Sequence, residues 1–571
     1  MNLAQKVQYD AIVVGSGISG GWAAKELCEK GLKTLVLERG RNVEHVKDYI
    51  TEHQQPWEAK HRGRAVPPDE AATEWKVQSR TYAFRETTKH FFMNDRTNPY
   101  EEVAPFTFIR GDQVGGRSLM WGRQSYRWSD LDFEANALDG HGVDWPIRYK
   151  DLEPWYGYVE RFIGISGKAE GLPQLPDSEF LPHMEFNAAE KLFKHGVESR
   201  FPDRHVINGR VAVLTRPHNG RGACHYCGPC EQGCSVGAYF SSQSSTLPAA
   251  AATGNLTLRP NSLVHSVIYD EDTDRATGVR VIDTRTKEME EVHARVIFLN
   301  ASTLGTTQIL LNTKTPRFST GLGNSSGALG HYLMDHHYQL GAYGVMAEAD
   351  DRYYVGNRPN GIYLARFRNL GDRASQQSDY VRGFGFQGSA DRPSWERGLD
   401  TNDFGADFKH SLRDPGSWSL WLGAWAEALP RRDNTVELSS ETDAYGLPQL
   451  RINCTWGENE LAMRKDIMVV TEEMMDAAGA TDVSLFNNYK EGELGAEPGL
   501  CIHEMGTARM GKDPKSSVLN GFNQMHDVPN VFVTDGACMA SSACQNPSLT
   551  YMAITARACD YAVGLLQRGE L

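Results

Sequence analysis

The chain has 571 residues and a formal net charge of -14, from 59 Lys and Arg against 73 Asp and Glu. This acidic balance, without a long basic tract, argues against nucleic acid and against an anionic membrane surface as partners. No apolar run approaches the roughly 18 residues that span a bilayer. The length predicts more than one domain, and the domains can be interleaved along the chain.

Residues 9–40 contain the first motif, which has the pattern of a strand, a glycine turn, a helix and a second strand. The turn reads GSGISG, and an acidic residue follows its last glycine by 18 positions. Gly15 permits the tight turn, Gly17 lets a pyrophosphate approach the backbone, and Gly20 lets the helix pack closely on the strand. Glu38, at the end of the second apolar run, is expected to bind a ribose hydroxyl. The motif therefore predicts that the chain binds a dinucleotide, either FAD or NAD.

A second glycine-rich segment follows a polar, irregular stretch at 42–105, which we interpret as a long surface excursion. The segment 109–122 reads IRGDQVGGRSLMWG. Its paired glycines, Gly115 and Gly116, followed by Ser118, suit a backbone that passes close to a flat ring system, because larger side chains would collide with the ring. Alone, this pattern predicts only a glycine-rich loop.

Four of the ten cysteines fall within eleven residues, in the segment 221–240. Cys224, Cys227, Cys230 and Cys234 have the spacing C-x2-C-x2-C-x3-C. This spacing matches bacterial ferredoxin cluster runs, although Ser235 stands where a proline is usual. The fourth cysteine of such runs commonly serves another cluster, so four thiols do not establish four ligands. A structural zinc site is the alternative, which we disfavour because zinc ligand pairs normally lie apart along the chain.

The remaining chain predicts two kinds of sheet. Residues 257–311 alternate strands with a capped helix and predict the rest of a nucleotide-binding sheet. Residues 338–494 change to short alternating strands with a helix near 459–478, which predicts a separate antiparallel sheet. A last strand at 530–534 ends in Asp535, at the carboxyl edge where an open α/β sheet presents polar groups to its ligand.

Together these motifs resemble the glucose-methanol-choline (GMC) family of FAD oxidoreductases. The glycine turn, GGRSLMWG at 115–122, HxxGTxxM at 503–510, DGA at 535–537 and the pair Asn546 and Pro547 occur in the order of that family. The resemblance implies an α/β fold in which a Rossmann-like FAD-binding domain is interleaved with an α+β substrate-binding domain built on an antiparallel sheet. The implied boundaries are 1–335 and 497–571 for the first domain, which contains the cysteine segment, and 336–496 for the second.

The resemblance also implies which residues bind FAD. It places Glu38 on the adenosine ribose, the Gly115 loop near the isoalloxazine ring, and Asp535 near the ribityl chain or the pyrophosphate. The implied FAD-binding residues are Gly15, Gly17, Gly20, Glu38, Gly115, Gly116, Ser118, Val264, Ala301, Asp535, Gly536, Pro547 and Thr550. Relatives with a covalent flavin carry a histidine where this chain has Met120, so the flavin is expected to be non-covalent.

The catalytic pair of the family corresponds to His503 and Asn546. Oxidation of an alcohol requires removal of the hydroxyl proton while the carbon-bound hydrogen leaves as hydride to flavin N5. Neutral His503 can accept that proton, a role worth roughly 10²- to 10⁴-fold in rate, and the Asn546 amide can orient the same oxygen. His336 and His337 belong to no such motif and are interpreted as structural.

The cysteine run departs from the oxidases of the family and resembles the catalytic subunits of bacterial multi-subunit sugar dehydrogenases, including glucose, gluconate, fructose and glucoside 3-dehydrogenases. In those subunits an iron–sulfur cluster takes electrons from reduced flavin and passes them to a cytochrome. The Cys-x5-Cys-x3-Cys pattern of the glucose dehydrogenases falls on Cys224, Cys230 and Cys234, which leaves Cys227 as an extra thiol. The resemblance thus implies a 3Fe–4S or a 4Fe–4S cluster.

The expected function is that of a sugar dehydrogenase that oxidises a ring hydroxyl. The favoured substrate is a glucoside or disaccharide oxidised at C3 to the 3-keto sugar, and C1 of glucose and C2 of gluconate are the alternatives. Another hypothesis is an O2-using oxidase with zinc or no metal at the cysteine run. A catalytically silent electron-transfer or scaffold subunit is a further one, which the presence of both His503 and Asn546 argues against.

The resemblance also implies partners and a location. Related catalytic subunits travel with a small subunit that carries a twin-arginine export signal, and they pass electrons to a cytochrome c, which predicts work in the periplasm. The first residues lack the basic region, the apolar region and the cleavage site of a signal peptide. A cytoplasmic enzyme with a soluble acceptor therefore fits the sequence equally well.

Overall fold

The computed structural model describes residues 8–571 except 56, 64, 351–357, 395, 396, 399, 400, 402 and 414. In chain order, the strands are β1 (Tyr9–Val14), β2 (Thr34–Leu37), β3 (Glu101–Glu102), β4 (Val206–Asn208), β5 (Leu256–Arg259), β6 (Ser262–Asp270), β7 (Arg275–Asp283), β8 (Met289–Leu299), β9 (Leu340–Val345), β10 (Ile362–Leu364), β11 (Phe384–Asp391), β12 (Ser419–Ala426), β13 (Thr435–Thr442), β14 (Pro448–Asn453), β15 (Thr481–Asn487) and β16 (Val531–Val533). The helices are α1 (Ile18–Glu29), α2 (Pro68–Glu74), α3 (Asp130–Phe133), α4 (Ala135–Asp139), α5 (Tyr149–Ile163), α6 (Ala188–Arg200), α7 (Thr246–Ala252), α8 (Thr303–Asn312), α9 (Ala406–Ser411), α10 (Glu458–Ala477) and α11 (Ser548–Arg568). Within the described residues, none of these helices has both the length and the apolar character needed to cross a membrane.

The first large sheet is the predicted nucleotide-binding sheet. Its strand order is β5-β2-β1-β8-β7-β6, with β16 paired to β8, and the pairs among β5, β2, β1, β8 and β16 are parallel. Val13 and Val36 pack against α1 and α11 on one face, whereas Ile12 and Leu35 join the main core on the other. Because both faces are covered, β1 and β2 read as nearly unbroken apolar runs. The Rossmann-like half of the predicted fold is confirmed.

The second large sheet is antiparallel throughout and has the order β15-β9-β12-β11-β10-β4. Its strands alternate between two faces, as the two-residue period of a strand requires. One face, with Phe386 and Leu422, packs against α6 and α10. The other, which we call the cavity face, carries Tyr343, Gln387, Ser389, Trp421 and Trp425. The predicted α+β half is confirmed, including its long helix.

The sheets cross the predicted domain boundaries in two places, at α6 and β4 and at β13 and β14. Helix α6 and strand β4, within the predicted FAD-binding segment 1–335, belong to the second sheet, because β4 pairs with β10 and α6 joins the core beneath it. A three-residue strand whose partner lies more than 150 positions away leaves no local signal in the sequence. A third, small sheet of β13, β14 and β3 packs beside α8.

Candidate active site

A cavity of ≈ 870 Å³ lies where the two large sheets meet. Its walls are the turn between β1 and α1, the glycine loop at 109–122, the carboxyl ends of β8 and β16, and the cavity face of the second sheet. His503 and Asn546 also line it. Its volume is in the range of cofactor and substrate sites, roughly 300 to 1,000 Å³.

The turn between β1 and α1 is shaped for close backbone approach. Gly15 has a φ of +93°, in the region that favours glycine. A Cβ on Gly20 would collide with the carbonyl oxygen of Gly15, so α1 packs directly on the turn. A Cβ on Gly17 would meet no atom nearer than the Gly115 carbonyl oxygen, 4.0 Å away, and would occupy cavity space instead. With the N-terminus of α1 on the wall, this turn suits a phosphate group.

Glu38 joins the turn to the second glycine loop. Its carboxylate accepts hydrogen bonds from the Ser16 backbone N–H, at 3.1 Å, and from the Ser16 hydroxyl, at 2.6 Å. The Gly40 N–H donates to its other oxygen. Ser16 Oγ in turn accepts from the Gly115 N–H at 2.8 Å. Burial raises the pKa of Glu38, although these hydrogen bonds oppose the shift.

The donors and acceptors on this wall are those that a dinucleotide would satisfy. The Nδ2 of Asn300 and the hydroxyl of Tyr551 are buried, face the cavity region and have no hydrogen-bond partner within the described part of the chain. Asp535 accepts from the Thr306 hydroxyl and the Ala537 N–H, and burial raises its pKa to about 6. Unpaired buried donors cost free energy until a ligand pairs with them. The wall therefore fits FAD.

The structure brings most of the predicted FAD-binding residues to one wall. Those that line the cavity are Gly15, Gly17, Glu38, Gly116, Ser118, Val264, Ala301, Asp535, Gly536 and Pro547. Gly20, Gly115 and Thr550 lie behind it. Gly20 packs on the turn, Gly115 donates to Ser16, and the Thr550 hydroxyl is 2.8 Å from that of Tyr156.

The predicted catalytic pair is assembled in the same cavity. His503 Nε2 lies 3.4 Å from Asn546 Nδ2, although the two residues are 43 positions apart. Asn546 Oδ1 accepts a hydrogen bond of 2.7 Å from Gln387 Nε2, on the cavity face of the second sheet. The three side chains thus link the C-terminal motif to the antiparallel sheet.

His336 fixes the protonation pattern of His503. Its Nε2 donates to the Ala543 carbonyl, and its Nδ1 lies 2.8 Å from His503 Nδ1. Burial lowers the pKa of His336 to about 4, so its ring is neutral and Nδ1 is an acceptor. His503 therefore donates from Nδ1 and carries its lone pair on Nε2, which faces Asn546 and the cavity. Burial, with His336 and Arg117 nearby, lowers the pKa of His503 well below its usual range.

This contact corrects the interpretation of His336 as structural. The ring nitrogens of His337, by contrast, have no hydrogen-bond partner among the described residues, and its ring lies 5.8 Å from that of Trp456. The polar run Asp335-His336-His337 inside an apolar neighbourhood is the signal in the sequence that could have indicated a site.

Asp335 holds the loop that carries His503. Its buried carboxylate accepts backbone N–H groups of Gly499 at 2.8 Å, Cys501 at 3.1 Å and His503 at 2.9 Å. Burial, with the charge of Glu504 nearby, raises the pKa of Asp335 to about 7. The loop is therefore folded around one carboxyl group.

The cysteine run lies against the glycine loop. Glu231, beside Cys230, lines the cavity and forms a 3.2 Å ion pair with Arg123. The Tyr239 hydroxyl donates to the Trp121 carbonyl at 3.0 Å. Cys227 is exposed, and Cys224, Cys230 and Cys234 are half-buried. The run therefore reaches from the cavity wall to the protein surface.

The four thiols are neighbours, but within the described residues no three of them lie within 4.8 Å of one another. Burial raises the pKa of Cys224, and the neighbouring Cys234 and Cys227 raise it further. Among the described residues, the group of donor atoms that all lie within 4.8 Å of one another is His336, Cys501 and His503, and no such group forms in the cysteine run. A tetrahedral zinc ion with bonds of about 2.3 Å needs its sulfur ligands about 3.8 Å apart. The sulfur donor set suits iron or zinc.

Comparison with known proteins adds relatives that span the whole chain. GMC oxidoreductase family models match residues 9–338 and 430–555. The 2-methyl-1,2-propanediol dehydrogenase of Mycolicibacterium austroafricanum is 28% identical over 97% of this chain and 95% of its own. The fructose dehydrogenase large subunit of Gluconobacter japonicus is 25% identical over 98% of each.

The solved structure of an Aspergillus oryzae formate oxidase variant has a TM-score of 0.60 at 13% identity, over 98% of this chain and 99% of that one. At this identity the likeness concerns the fold, which agrees with the two sheets described above. The family models alone cover more than half of the chain. The family models and a cavity that combines a dinucleotide-binding wall with a histidine beside an amide show that the chain belongs to the GMC oxidoreductase family of FAD-dependent enzymes that act on CH–OH groups.

Proposed function

We propose that this enzyme is a sugar dehydrogenase that oxidises a ring hydroxyl, with C3 of a glucoside or disaccharide as the favoured position. The observation that carries the proposal is the lone pair of His503 Nε2, which the His336 contact directs into the cavity beside Asn546. C1 of glucose and C2 of gluconate are the alternative positions. The preference for C3 rests on overall resemblance to glucoside 3-dehydrogenases.

The chemistry that FAD supplies when bound is acceptance of the hydride from the carbinol carbon. The residues of the chain handle the proton. His503 Nε2 takes the hydroxyl proton, and Asn546 Nδ2 donates to the same oxygen and orients it. His336 keeps the second nitrogen of His503 protonated throughout. General-base assistance of this kind is worth roughly 10²- to 10⁴-fold.

The cavity face supports a neutral sugar as the substrate class. Trp421 and Trp425 offer aromatic faces to the apolar side of a ring, and Gln387 offers an amide to its hydroxyl groups. Arg117 and Arg123 on the wall are each ion-paired, with Glu504 and with Glu231. Paired cations disfavour a free carboxylate such as that of gluconate. The relative named fructose dehydrogenase also supports a sugar.

We further propose that the cysteine run holds a 3Fe–4S or 4Fe–4S cluster that takes electrons away from the flavin. The spacing of its cysteines, which matches ferredoxin cluster runs, and its position against the glycine loop support a cluster over a single zinc ion. Because Cys227 is exposed and the other three are not, a three-cysteine ligand set of Cys224, Cys230 and Cys234 is favoured. The relative described as a large subunit supports a complex, here with a small export subunit and a cytochrome c in the periplasm.

Anaerobic absorption and EPR spectra, with iron and sulfide analysis, test both proposals. Addition of methyl glucoside, glucose or gluconate is expected to bleach the flavin with the neutral sugars and to change a cluster signal. Bleaching without iron and sulfide in anaerobically prepared protein would favour the O2-using oxidase. Cys227→Ser is expected to keep the cluster signal and Cys230→Ser to lose it. Equal loss in both would indicate four ligands.

A further inference from the structure

A chain of hydrogen bonds with one direction runs through the catalytic pair to the second sheet. The Ala543 carbonyl can only accept, so His336 donates to it and accepts from His503 Nδ1. His503 Nε2 is then an acceptor, and the Asn546 atom that faces it must be the Nδ2 donor. Asn546 Oδ1 consequently points to Gln387, which presents its Nε2 donor.

We propose that Gln387 is a positioning residue that fixes the direction of the Asn546 amide and, through it, keeps the lone pair on His503 Nε2. The inference rests on the proposed function, in which that lone pair takes the hydroxyl proton. Gln387 acts through Asn546. Its N–H donor, rather than its volume, is what the chain of hydrogen bonds requires.

The place of Gln387 in the sheet suits this role. Its backbone lies on β11 between two antiparallel neighbours, opposite Tyr363 on β10 and Gly423 on β12. The side chain is 7% exposed, and the adjacent Phe386 packs on the helix-covered face. A donor on a paired central strand is held more precisely than one on a loop.

Two carboxyl groups near this chain of hydrogen bonds change charge near neutral pH. Asp335 accepts from the His503 backbone N–H and has a pKa of about 7, and Asp535 on the cavity wall has a pKa of about 6. The other titratable and charged groups there are His336, His503, Cys501, Tyr82, Tyr338, Tyr343 and Tyr363, with the ion pairs Arg117–Glu504 and Arg123–Glu231. Burial raises the pKa of Cys501 and of Tyr338 and lowers that of His503. Asp335 and Asp535 titrate in the wild type as well, so the effect of a carboxyl group introduced at position 387 is the difference between the pH profile of the variant and that of the wild type.

The substitutions Gln387→Glu and Gln387→Met separate the effect of the side-chain hydrogen-bond donor from the effect of side-chain volume. A protonated carboxyl group can donate to Asn546 Oδ1 as the glutamine does, whereas an ionised one can only accept and turns the Asn546 amide around. A methionine fills the space without donating. The exposed Gln376 provides a matched control, because Gln376→Glu makes the same charge change away from the cavity.

The rate of substrate-driven flavin bleaching is measured across pH on FAD-loaded proteins. Gln387→Glu is expected to match the wild type at low pH and to fall by about tenfold or more as the new carboxyl group ionises, since tenfold corresponds to one hydrogen bond. Gln387→Met is expected to be about tenfold slower at every pH. Gln376→Glu keeps the wild-type profile. Coincident profiles for the Glu and Met variants, or a wild-type profile in Gln387→Glu, would overturn the proposal.

A second readout is independent of substrate. ¹⁵N-histidine NMR, with His503 assigned through His503→Asn, is expected to show Nε2 without a proton in the wild type and with a proton in Gln387→Glu at high pH. If Gln387→Glu does not retain FAD, the NMR spectrum of Gln387→Met tests the proposal instead. A mixture of His503 tautomers in Gln387→Met would support the proposal, and a single tautomer would contradict it. If no sugar bleached the wild-type flavin, the proposed substrate class would be rejected. The NMR measurement of the His503 tautomer would still test the role of Gln387, because it needs no substrate.

Discussion

The dinucleotide turn and the catalytic pocket are built in two different ways. The turn takes its glycines and its acidic residue from one stretch, residues 15–38, and most of its side-chain hydrogen bonds lie within residues 15–40 and the glycine loop, with Ser242 as a more distant donor. The pocket collects His336, Gln387, His503 and Asn546 from four elements spread over residues 336–546. A site of the first kind depends on local geometry, and a site of the second kind depends on how the two sheets are aligned.

This difference separates two measurable quantities. Changes in the turn should alter the affinity for FAD, since the turn provides the phosphate contacts. Changes in the pocket should alter the rate of flavin reduction while FAD remains bound. A variant of one region that changes the quantity assigned to the other would break the comparison.

The largest effect is expected for His503→Ala. Removal of the base should lower the rate of flavin reduction by roughly 10²- to 10⁴-fold, with FAD content unchanged, as measured by stopped-flow absorbance. His410→Ala, at an exposed position on α9, is the matched control and should keep the wild-type rate. A His503→Ala rate within tenfold of the wild type would contradict the role of His503.

The turn is tested by Gly17→Ala. The added Cβ enters cavity space that no protein atom occupies within 4.0 Å, so it should weaken FAD binding by about tenfold, or about 1.4 kcal/mol. The FAD dissociation constant of the apoprotein measures the effect. Gly564→Ala on α11, where the added Cβ meets only the end of the Arg568 side chain, should leave that constant unchanged. Equal FAD dissociation constants for the two variants would show that the FAD phosphate does not lie against Gly17.

Much of the fold could be predicted because its signals are local. The apolar runs of β1 and β2 indicate buried parallel strands. The helix expected near 459–478 is observed as α10. Strand β4 and helix α6 could not be assigned to their sheet, because the partner of β4 is β10, far along the chain. Pairing between distant segments depends on tertiary packing, which no short window of sequence contains.

The same limit applies to the site. His503 and Asn546 belong to motifs with fixed spacing, and the structure brings them together. His336 and Gln387 are 167 and 159 positions from their partners, His503 and Asn546. The polar run around His336 could indicate a site but not its partner, and Gln387 has no local pattern. Thr550 follows a motif beside the cavity, and its side chain is directed to Tyr156.

A smaller effect on the pocket is expected for His336→Leu. It leaves the buried Nδ1–H of His503 with only the weak sulfur acceptor of Cys501, 3.4 Å away, so both His503 tautomers become populated and the maximal rate should fall by about tenfold with KM little changed. His336→Gln can accept the same hydrogen bond through its amide oxygen and should restore most of the rate. Equal rates in the two variants would show that ring packing, and not the hydrogen bond, is what His336 contributes.

The smallest effect concerns stability rather than rate. The pKa of Asp335 is raised from 3.8 to about 7 in the folded protein, so between these values the folded state holds a proton that the unfolded state has released. The stabilising contribution of this proton is present below about pH 4 and is lost as pH rises to about 7. The midpoint of thermal unfolding of the wild type should therefore fall with pH across this window more steeply than that of Asp335→Asn.

The comparison with Asp335→Asn isolates one carboxyl group from others that titrate in the same range, such as Asp535, whose pKa is about 6. The asparagine keeps the size of the side chain and one acceptor oxygen for the backbone N–H groups of Gly499, Cys501 and His503. Parallel curves for the two proteins would mean that Asp335 titrates normally. The shape of the loop that carries His503 would then depend on the backbone of the loop itself and not on the distant Asp335 carboxyl group. In that respect the loop would resemble the glycine turn, whose shape depends on local sequence.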